Sequence, residues 1–205
     1  MTFHSAALSI DALASEVDLL DPELPVAVAM IDLDDFDPLN KAHGHEAGDA
    51  ALAEFERCLR DGLPPGGMVA HVRGDEFAAA LPDCSCEEAL LVLERARAAY
   101  SSGPAAPGVG QSLGVSMGIA GRPAHGATAQ ELFEAADAGL VRAKHSGGNR
   151  IAIHIEERMV LKSSYYPRAA LHRLAKVSRR LGRPEASLLR EALDEYLARH
   201  QDAVK

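Results

Sequence analysis

The chain has 205 residues, of which 47% are hydrophobic and 25% are charged, so it can bury a core without disulfide or metal support. This composition excludes a collagen, a disulfide scaffold and wholesale disorder, and no apolar run approaches the roughly 20 residues that span a bilayer. The N-terminus shows no basic-then-apolar leader, and three cysteines cannot all pair. We therefore expect a cytoplasmic protein with no membrane partner.

Charge is divided unevenly along the chain, whose formal net charge is −9. Residues 1–155 hold 10 basic and 23 acidic residues, giving −13, whereas residues 156–205 hold 11 and 7, giving +4. This asymmetry indicates two modules with different partners, and basic modules often bind nucleic acid. The alternative is an ordinary solvated surface.

Hydrophobic periodicity predicts alternating helices and strands before residue 156. Thr128, with Glu131 three residues later, predicts a capping box at the start of one helix. The Arg-Gly-Asp-Glu segment between two short apolar runs predicts a hairpin turn. The predicted elements are, in chain order, a helix over 5–20, a buried strand over 26–32, a helix over 47–59, strands over 68–72 and 77–81, a helix over 87–100, a strand over 113–120, a helix over 129–145 and a strand over 151–155. This order favours an α+β fold with a mixed sheet over a doubly wound one.

Acidic residues stand at the ends of two of these predicted strands. Asp32 closes the first strand, and Asp75 and Glu76 lie in the hairpin turn. If the strands are neighbours, the carboxylates meet at one sheet edge, where Mg²⁺ or Mn²⁺ could hold substrate phosphates. The alternative is that these acids are simply solvated.

Four segments together resemble the GGDEF domain of the diguanylate cyclase family. They are IDLDDFDPLNKAHGHEAGDAAL, HVRGDEFAAALP, VSMGIA and AADAGLVRAKHSGGNR, within about residues 24–155. The resemblance implies a palm-like fold with a mixed sheet flanked by helices. Active members of the family condense two GTP molecules into cyclic di-GMP across two facing domains.

The resemblance also implies roles for individual residues. Asp32, Asp75 and the Leu33 carbonyl match the ligands of Mg²⁺ or Mn²⁺, which binds with the guanine nucleotide. Asp75 and Glu76 are the catalytic acids if the domain is active. The positions that match nucleotide contacts are Asn40 and Asp49 for the guanine edge, Lys144 for phosphate, and Gly74 with Arg73 in the turn.

Three departures from the family pattern affect phosphate binding. Arg73 replaces the first glycine of the motif, where a side chain would crowd the nucleotide. Asp37 replaces a phosphate-binding lysine, and Gly148 replaces a phosphate-contacting arginine. The family's lead-in is not recognisable in residues 5–22, and its inhibitory Arg-x-x-Asp site is missing at residues 64–67. These departures predict nucleotide binding without efficient turnover, unless Arg73 contacts phosphate from a new direction.

A second pattern begins after residue 155. Residues 159–166 have strand character, Pro167 opens a helix that Gly182 ends, and Pro184 opens another helix. One strand and two helices bury little core alone, so we expect this unit to dimerise.

The segment PRAALHRLAKVSRRLGRPEASLLREALDEYL resembles a ribbon-helix-helix DNA-binding domain, over about residues 158–200. In that family, two chains pair their strands into a ribbon that enters the major groove. The resemblance assigns base or phosphate contacts to Lys162, Ser163, Ser164, Tyr165, Arg168 and Arg183. The alternative is a plain helical dimerisation tail.

The sequence thus predicts three parts: a lead-in over 1–23, a GGDEF-like domain over 24–155 and a ribbon-helix-helix domain over 156–205. The favoured function is a homodimeric DNA-binding regulator whose divergent GGDEF domain binds GTP or cyclic di-GMP. Two alternatives stay open, an active diguanylate cyclase dimerised by its tail and a GGDEF-like domain that binds nothing and serves as an assembly surface.

Overall fold

Five strands form one mixed sheet, and helices cover both of its faces. A computed structural model describes residues 8–104, 109, 112–155 and 165–200, and the chain divides into the units Met1–Glu157 and Arg158–Lys205. The elements of the first unit are α1 (Ile10–Leu19), β1 (Val26–Leu33), α2 (Phe36–His43), α3 (His45–Gly62), β2 (Met68–Arg73), β3 (Glu76–Pro82), α4 (Cys86–Ser101), β4 (Val115–Arg122), α5 (Ala129–His145) and β5 (Ile151–Ile153).

The strand order is β2-β3-β1-β4-β5, with β1 at the centre. Strand β1 pairs antiparallel with β3 and β4, and β5 joins β4 in parallel. The predicted α+β class and hairpin are therefore confirmed, as is the capping box of α5 at Thr128 and Glu131.

The side chains of β1 alternate between two cores, as a strand covered on both faces requires. Ala27, Ala29 and Ile31 pack with α3 and α4 on one face of the sheet. Val26 and Val28 pack with α1 and α5 on the other face. Asp32 is an even number of residues after Val26 and Val28, so its side chain points to the same face as theirs. The carboxylate therefore lies on the α5 side of the sheet.

Helix α5 lies unusually close to the sheet because glycine occupies the contact. A Cβ added to Gly118 on β4 would lie 2.0 Å from the carbonyl oxygen of Ala136 and 2.1 Å from the amide nitrogen of Leu140. Since backbone atoms fill that space, only glycine allows this approach. The contact brings the end of α5 down toward the edge where β1 ends.

Some predicted boundaries differ from those observed. Residues 36–43 form the separate helix α2, which the periodicity did not predict, and α3 is longer at both ends than the predicted helix over 47–59. Helix α1 packs Leu13 and Val17 into the core on the α5 face, so the lead-in is an integral part of the first unit. No helix in the described ranges has the length and apolarity needed to cross a membrane.

The second unit contains α6 (Arg168–Leu181) and α7 (Glu185–Arg199). As predicted, α6 follows Pro167, ends at Gly182 in the left-handed conformation and is succeeded by a helix after Pro184. Of the strand predicted over 159–166, residues 159–164 lie outside the described residues. Tyr165 and Tyr166 are described, and neither lies in a strand.

Candidate functional site

The three acids singled out from the sequence lie at one edge of the sheet. Asp32 on β1 is directly opposite Glu76 on β3 in the antiparallel register. Asp75 precedes Glu76 in the turn, and its carbonyl oxygen accepts a hydrogen bond from the amide of Leu33 at 3.3 Å. The turn residue Gly74 has φ +51°, a conformation that glycine adopts without strain. The hairpin and the end of β1 therefore hold these acids side by side.

Asp32 is the most buried of these acids, with 6% of its surface exposed. Its Oδ2 lies 2.6 Å from the Nζ of Lys144 on α5. Burial raises the pKa of Asp32, and the hydrogen bond from Lys144 opposes that rise. The negative charges of Asp75 and Asp34 add to the increase in this pKa. A cation at this position, whether Lys144 or a metal ion, is thus electrostatically favoured.

Glu76 has a cationic partner of its own in Arg73. The Nε of Arg73 lies 2.9 Å from one carboxylate oxygen of Glu76 and its Nη2 lies 3.2 Å from the other. This two-point pairing raises the pKa of Arg73. Because the Arg73 side chain is 80% exposed, the pair contributes little to stability, yet it engages both oxygens of the second acid of the motif.

A cavity of about 810 Å³ opens beside these acids. Five of its lining residues are aspartates, and Lys144 is the one cation among them. Its lining residues are Asp32, Leu33, Asp34, Asp35, Phe36, Asp37, Pro38, Asp75, Gly114, Lys144, Gly147, Gly148 and Asn149. The cavity walls are thus strongly acidic, and their cation is already bonded to Asp32.

Asp34, which the sequence did not single out, is fixed by several hydrogen bonds. The hydroxyl of Ser116 donates to one oxygen at 2.7 Å, and the amide of Asn149 donates to the other at 2.7 Å. The guanidinium of Arg97 on α4 in turn donates to the side-chain oxygen of Asn149 at 2.6 Å. The signal for this network would have been the alternation Asp32-x-Asp34, which puts two acidic residues in the same phase at the end of β1. The network gives the cavity a rigid wall.

The residues matched to guanine recognition lie on neighbouring helices. Asn40 is on α2 and Asp49 is on α3, and neither lines the cavity. The side-chain oxygen of Asn40 is buried and has no hydrogen-bond partner in the described structure. A Cβ at Gly48 would lie 2.0 Å from that oxygen, so Asn40 lies against bare helix backbone. A buried acceptor of this kind needs a donor that the described chain does not supply.

The acids fit a divalent cation that arrives with phosphates. Within the described residues, no three His, Cys, Asp or Glu side chains converge closely enough to hold a metal ion by themselves. Mg²⁺, however, commonly takes one or two carboxylates and completes its shell with phosphates and water. Asp32 and Asp75 provide such a pair, because each carries hard oxygen ligands and the two lie close enough to influence each other electrostatically.

The residues matched to DNA contacts are only partly described. Lys162, Ser163 and Ser164 lie outside the described residues. Tyr165 is fully exposed, and Arg168 begins α6 with an exposed side chain. Arg183 pairs with Glu191 at 2.8 Å, so its guanidinium is engaged within its own unit.

Comparison with known proteins defines the class to which this fold and site belong. The family described as "Diguanylate cyclase, GGDEF domain" matches residues 8–150. The chain belongs to this family. The match includes α1, which the sequence pattern had left as a separate lead-in.

Curated relatives and solved structures agree with this assignment. The chain is 32% identical over 130 residues to the response regulator PleD of Caulobacter vibrioides, a match that covers 62% of this chain and 29% of PleD. It is 35% identical over 127 residues to the diguanylate cyclase DgcP of Pseudomonas aeruginosa, covering 62% of this chain and 19% of DgcP. The chain thus spans less than a third of the length of these two relatives.

Among solved structures, the GGDEF domain of PA1120 from Pseudomonas aeruginosa matches with a TM-score of 0.67 and 27% identity, covering 73% of this chain and 91% of that one. The diguanylate cyclase SiaD of the same organism, solved with its activator SiaC, matches with a TM-score of 0.63 and 26% identity, covering 72% of this chain and 58% of that one. The predicted palm-like domain is confirmed by these matches.

Proposed function

We propose that the protein is a homodimeric, DNA-binding regulator whose GGDEF domain binds a guanine nucleotide, GTP or cyclic di-GMP, with Mg²⁺ or Mn²⁺ and without efficient turnover. The observation that carries the proposal is the charge of the cavity. Five aspartates line it, and its one lysine is bonded to Asp32. The metal-binding acids are present, while cations for a triphosphate are scarce.

Nucleotide binding is supported by the groups that remain. Asp32 and Asp75 offer the hard oxygens that a phosphate-bound divalent cation takes. The side-chain oxygen of Asn40 is a buried acceptor that has no partner in the described structure. It lies beside Gly48, the residue that precedes Asp49. A guanine base supplies N–H donors of the kind that this acceptor lacks.

Impaired turnover is supported by the groups that have changed. Asp37 lines the cavity at the position of a family lysine, so it repels phosphate. Gly148 has no side chain that could contact phosphate. Arg73 engages both oxygens of Glu76, and that carboxylate would have to leave its partner before it could act on a metal ion or a proton.

The second unit supports dimerisation and DNA binding. Helix α6 carries five lysines and arginines and no acidic residue, as a phosphate-binding element does. No residue of α6 is buried. Large apolar side chains on both helices remain exposed, namely Leu171, Val177, Leu181, Leu189, Leu193, Tyr196 and Leu197. A second copy of the unit would cover these faces and pair the strands that the ribbon-helix-helix resemblance implies.

The proposed mechanism is thermodynamic linkage between the two units. A nucleotide that binds two dimer arrangements with different affinity shifts the balance between them, and DNA must then change nucleotide affinity by the same factor. The expected observation is a change in DNA affinity when guanine nucleotide is added at fixed salt concentration. Equal DNA affinity with and without nucleotide would rule out the linkage.

A second candidate function is an active diguanylate cyclase whose tail keeps two half-sites together. It is favoured by the position of Asp32, Asp75 and Glu76, which share one edge of the sheet. Dimerisation through the second unit would raise the effective concentration of the half-sites.

One experiment separates these functions. Purified protein is incubated with GTP and Mg²⁺ or Mn²⁺, nucleotides are resolved by chromatography, and the bound fraction is measured in parallel. Binding without product supports the regulator. Cyclic di-GMP that disappears in Asp75→Ala establishes the cyclase. If nothing binds and GTP does not raise the unfolding temperature, the domain is an assembly surface, because any ligand of the native state stabilises it.

A further inference from the structure

The cavity lacks a free cation for the phosphates of its proposed ligand. Among the described residues that line it, Lys144 is the only basic one, and the Nζ of Lys144 is 2.6 Å from Asp32. A divalent cation on Asp32 and Asp75 offsets part of the negative charge, yet three further aspartates remain in the wall. A phosphate group bound here therefore needs another positive partner near the rim.

Arg150 does not itself line the cavity but adjoins residues that do. It directly follows the three lining residues Gly147, Gly148 and Asn149. Its Nε donates to the carbonyl oxygen of Gly148 at 3.1 Å, and its Nη2 lies 3.6 Å from where a Cβ of Gly147 would be. The guanidinium thus lies back over the loop, and within the described chain it has no carboxylate partner.

Two features of the loop explain why Arg150, and not position 148, carries the charge. Gly148 has φ +69°, and a Cβ there would lie 3.2 Å from the Oδ2 of Asp34. Position 148 therefore disfavours any side chain. The backbone amide of Asn149 donates a hydrogen bond to Asp34, and the side chain of Asn149 accepts a hydrogen bond from Arg97. These two bonds hold the loop that presents Arg150 in place.

We propose that Arg150 is a phosphate-contacting residue of the nucleotide cavity and takes the place of the arginine missing at position 148. This rests on the proposed function, in that the cavity binds a guanine nucleotide. Arginine suits the task because its planar fork can donate two parallel hydrogen bonds to a phosphate. The Nε bond to Gly148 uses one donor and leaves the terminal nitrogens for the ligand.

The test is isothermal titration calorimetry of the full chain with GTP and, separately, with guanosine, both in Mg²⁺. Arg150→Gln should weaken GTP binding by about tenfold or more, the effect of losing a charge-assisted hydrogen bond. Guanosine, which has no phosphate, should bind within about twofold of the original affinity. Arg150→Lys, which keeps the charge but loses the fork, should fall between.

The matched control is Arg95→Gln, an exposed arginine on α4 away from the cavity, which should leave both affinities unchanged. Equal weakening of GTP and guanosine in Arg150→Gln would show that Arg150 only shapes the loop, and unchanged GTP affinity would show no contact at all. Either result overturns the inference while the proposed function stands. If the unsubstituted protein binds neither GTP nor guanosine, the inference fails, and if it does not bind cyclic di-GMP either, the proposed function fails as well.

Discussion

The two units of the chain differ in how they bury apolar surface. In the first unit, one sheet separates two cores, and Phe55 contacts the rings of Phe77 and Tyr100 edge-on at 5.3 Å each. In the second unit, α6 has no buried residue. The first unit thus has cores of its own, whereas the apolar side chains of α6 and α7 stay largely exposed, and under the proposed function a second copy covers them. Substitutions in the two units should therefore differ both in magnitude and in dependence on protein concentration.

The largest effect is expected in the aromatic cluster of the first unit. Phe55→Ala removes a fully buried ring and leaves a cavity beneath β3, so it should lower the free energy of unfolding by about 3–5 kcal/mol. The measurement is urea unfolding followed by circular dichroism. Leu91→Ala on α4, where the side chain is 60% exposed, is the control and should change stability by less than about 0.5 kcal/mol. Similar losses in both variants would contradict the two-core description.

The next effect tests the second unit. Leu193 on α7 is 57% exposed, nearly the same as Leu91. In an isolated chain, lysine at either position should therefore change the free energy of unfolding little. If a second copy covers α7, Leu193→Lys should raise the dimer dissociation constant at least tenfold, because a charge would be buried at the interface. Leu91→Lys should leave it unchanged. Sedimentation velocity across a range of concentrations measures both, and equal behaviour of the two variants would argue against this interface.

The sequence predicted the parts of the first unit that local signals specify. Thr128 and Glu131 predicted the start of α5, and the two short apolar runs on either side of the Arg-Gly-Asp-Glu turn predicted the hairpin. The sequence also predicted that Asp32 lies beside the acids of that turn, on the assumption that the first strand and the hairpin are neighbours in the sheet. These features depend on residues close together in sequence, or on one strand pairing.

Other features depend on contacts that sequence patterns do not encode. Helix α2 has eight residues and a proline in its first turn, and packing of Leu39 against α3 holds it in place. The bond between Arg97 and Asn149 joins residues 52 positions apart. The pairing of Arg73 with Glu76 is local, but the sequence alone could not tell whether Arg73 would bond to Glu76 or to phosphate.

A smaller effect is expected at Asp32, where function and stability oppose each other. Burial raises the pKa of Asp32 above its ordinary value, so the ionised carboxylate is less favourable in the folded chain than in the unfolded one. This group therefore reduces stability once the pH exceeds the unfolded pKa of about 3.9. In EDTA at pH 7, Asp32→Asn should raise the free energy of unfolding by about 1 kcal/mol, and the gain should vanish as the pH falls to about 4.

Urea unfolding at both pH values measures this gain. The same Asp32→Asn variant should lose the metal-dependent part of nucleotide binding. A variant that is less stable at pH 7 would show that the bond to Lys144 outweighs the cost of burying the charge.

The smallest change in stability is expected at Arg73, where the change in function should be informative. The Arg73 side chain is 80% exposed and that of Glu76 is 25% exposed, so both Arg73→Gly and Arg73→Gln should alter the free energy of unfolding by no more than about 1 kcal/mol. Turnover of GTP distinguishes two ways in which Arg73 could suppress it. If Arg73 acts by engaging Glu76, both variants free that carboxylate and both should form more cyclic di-GMP. If Arg73 acts by crowding the nucleotide, glycine should restore turnover and glutamine should not. Unchanged turnover in both variants would place the defect at Asp37, which adds a negative charge to the cavity wall, and Asp37→Lys would then be the substitution that increases product.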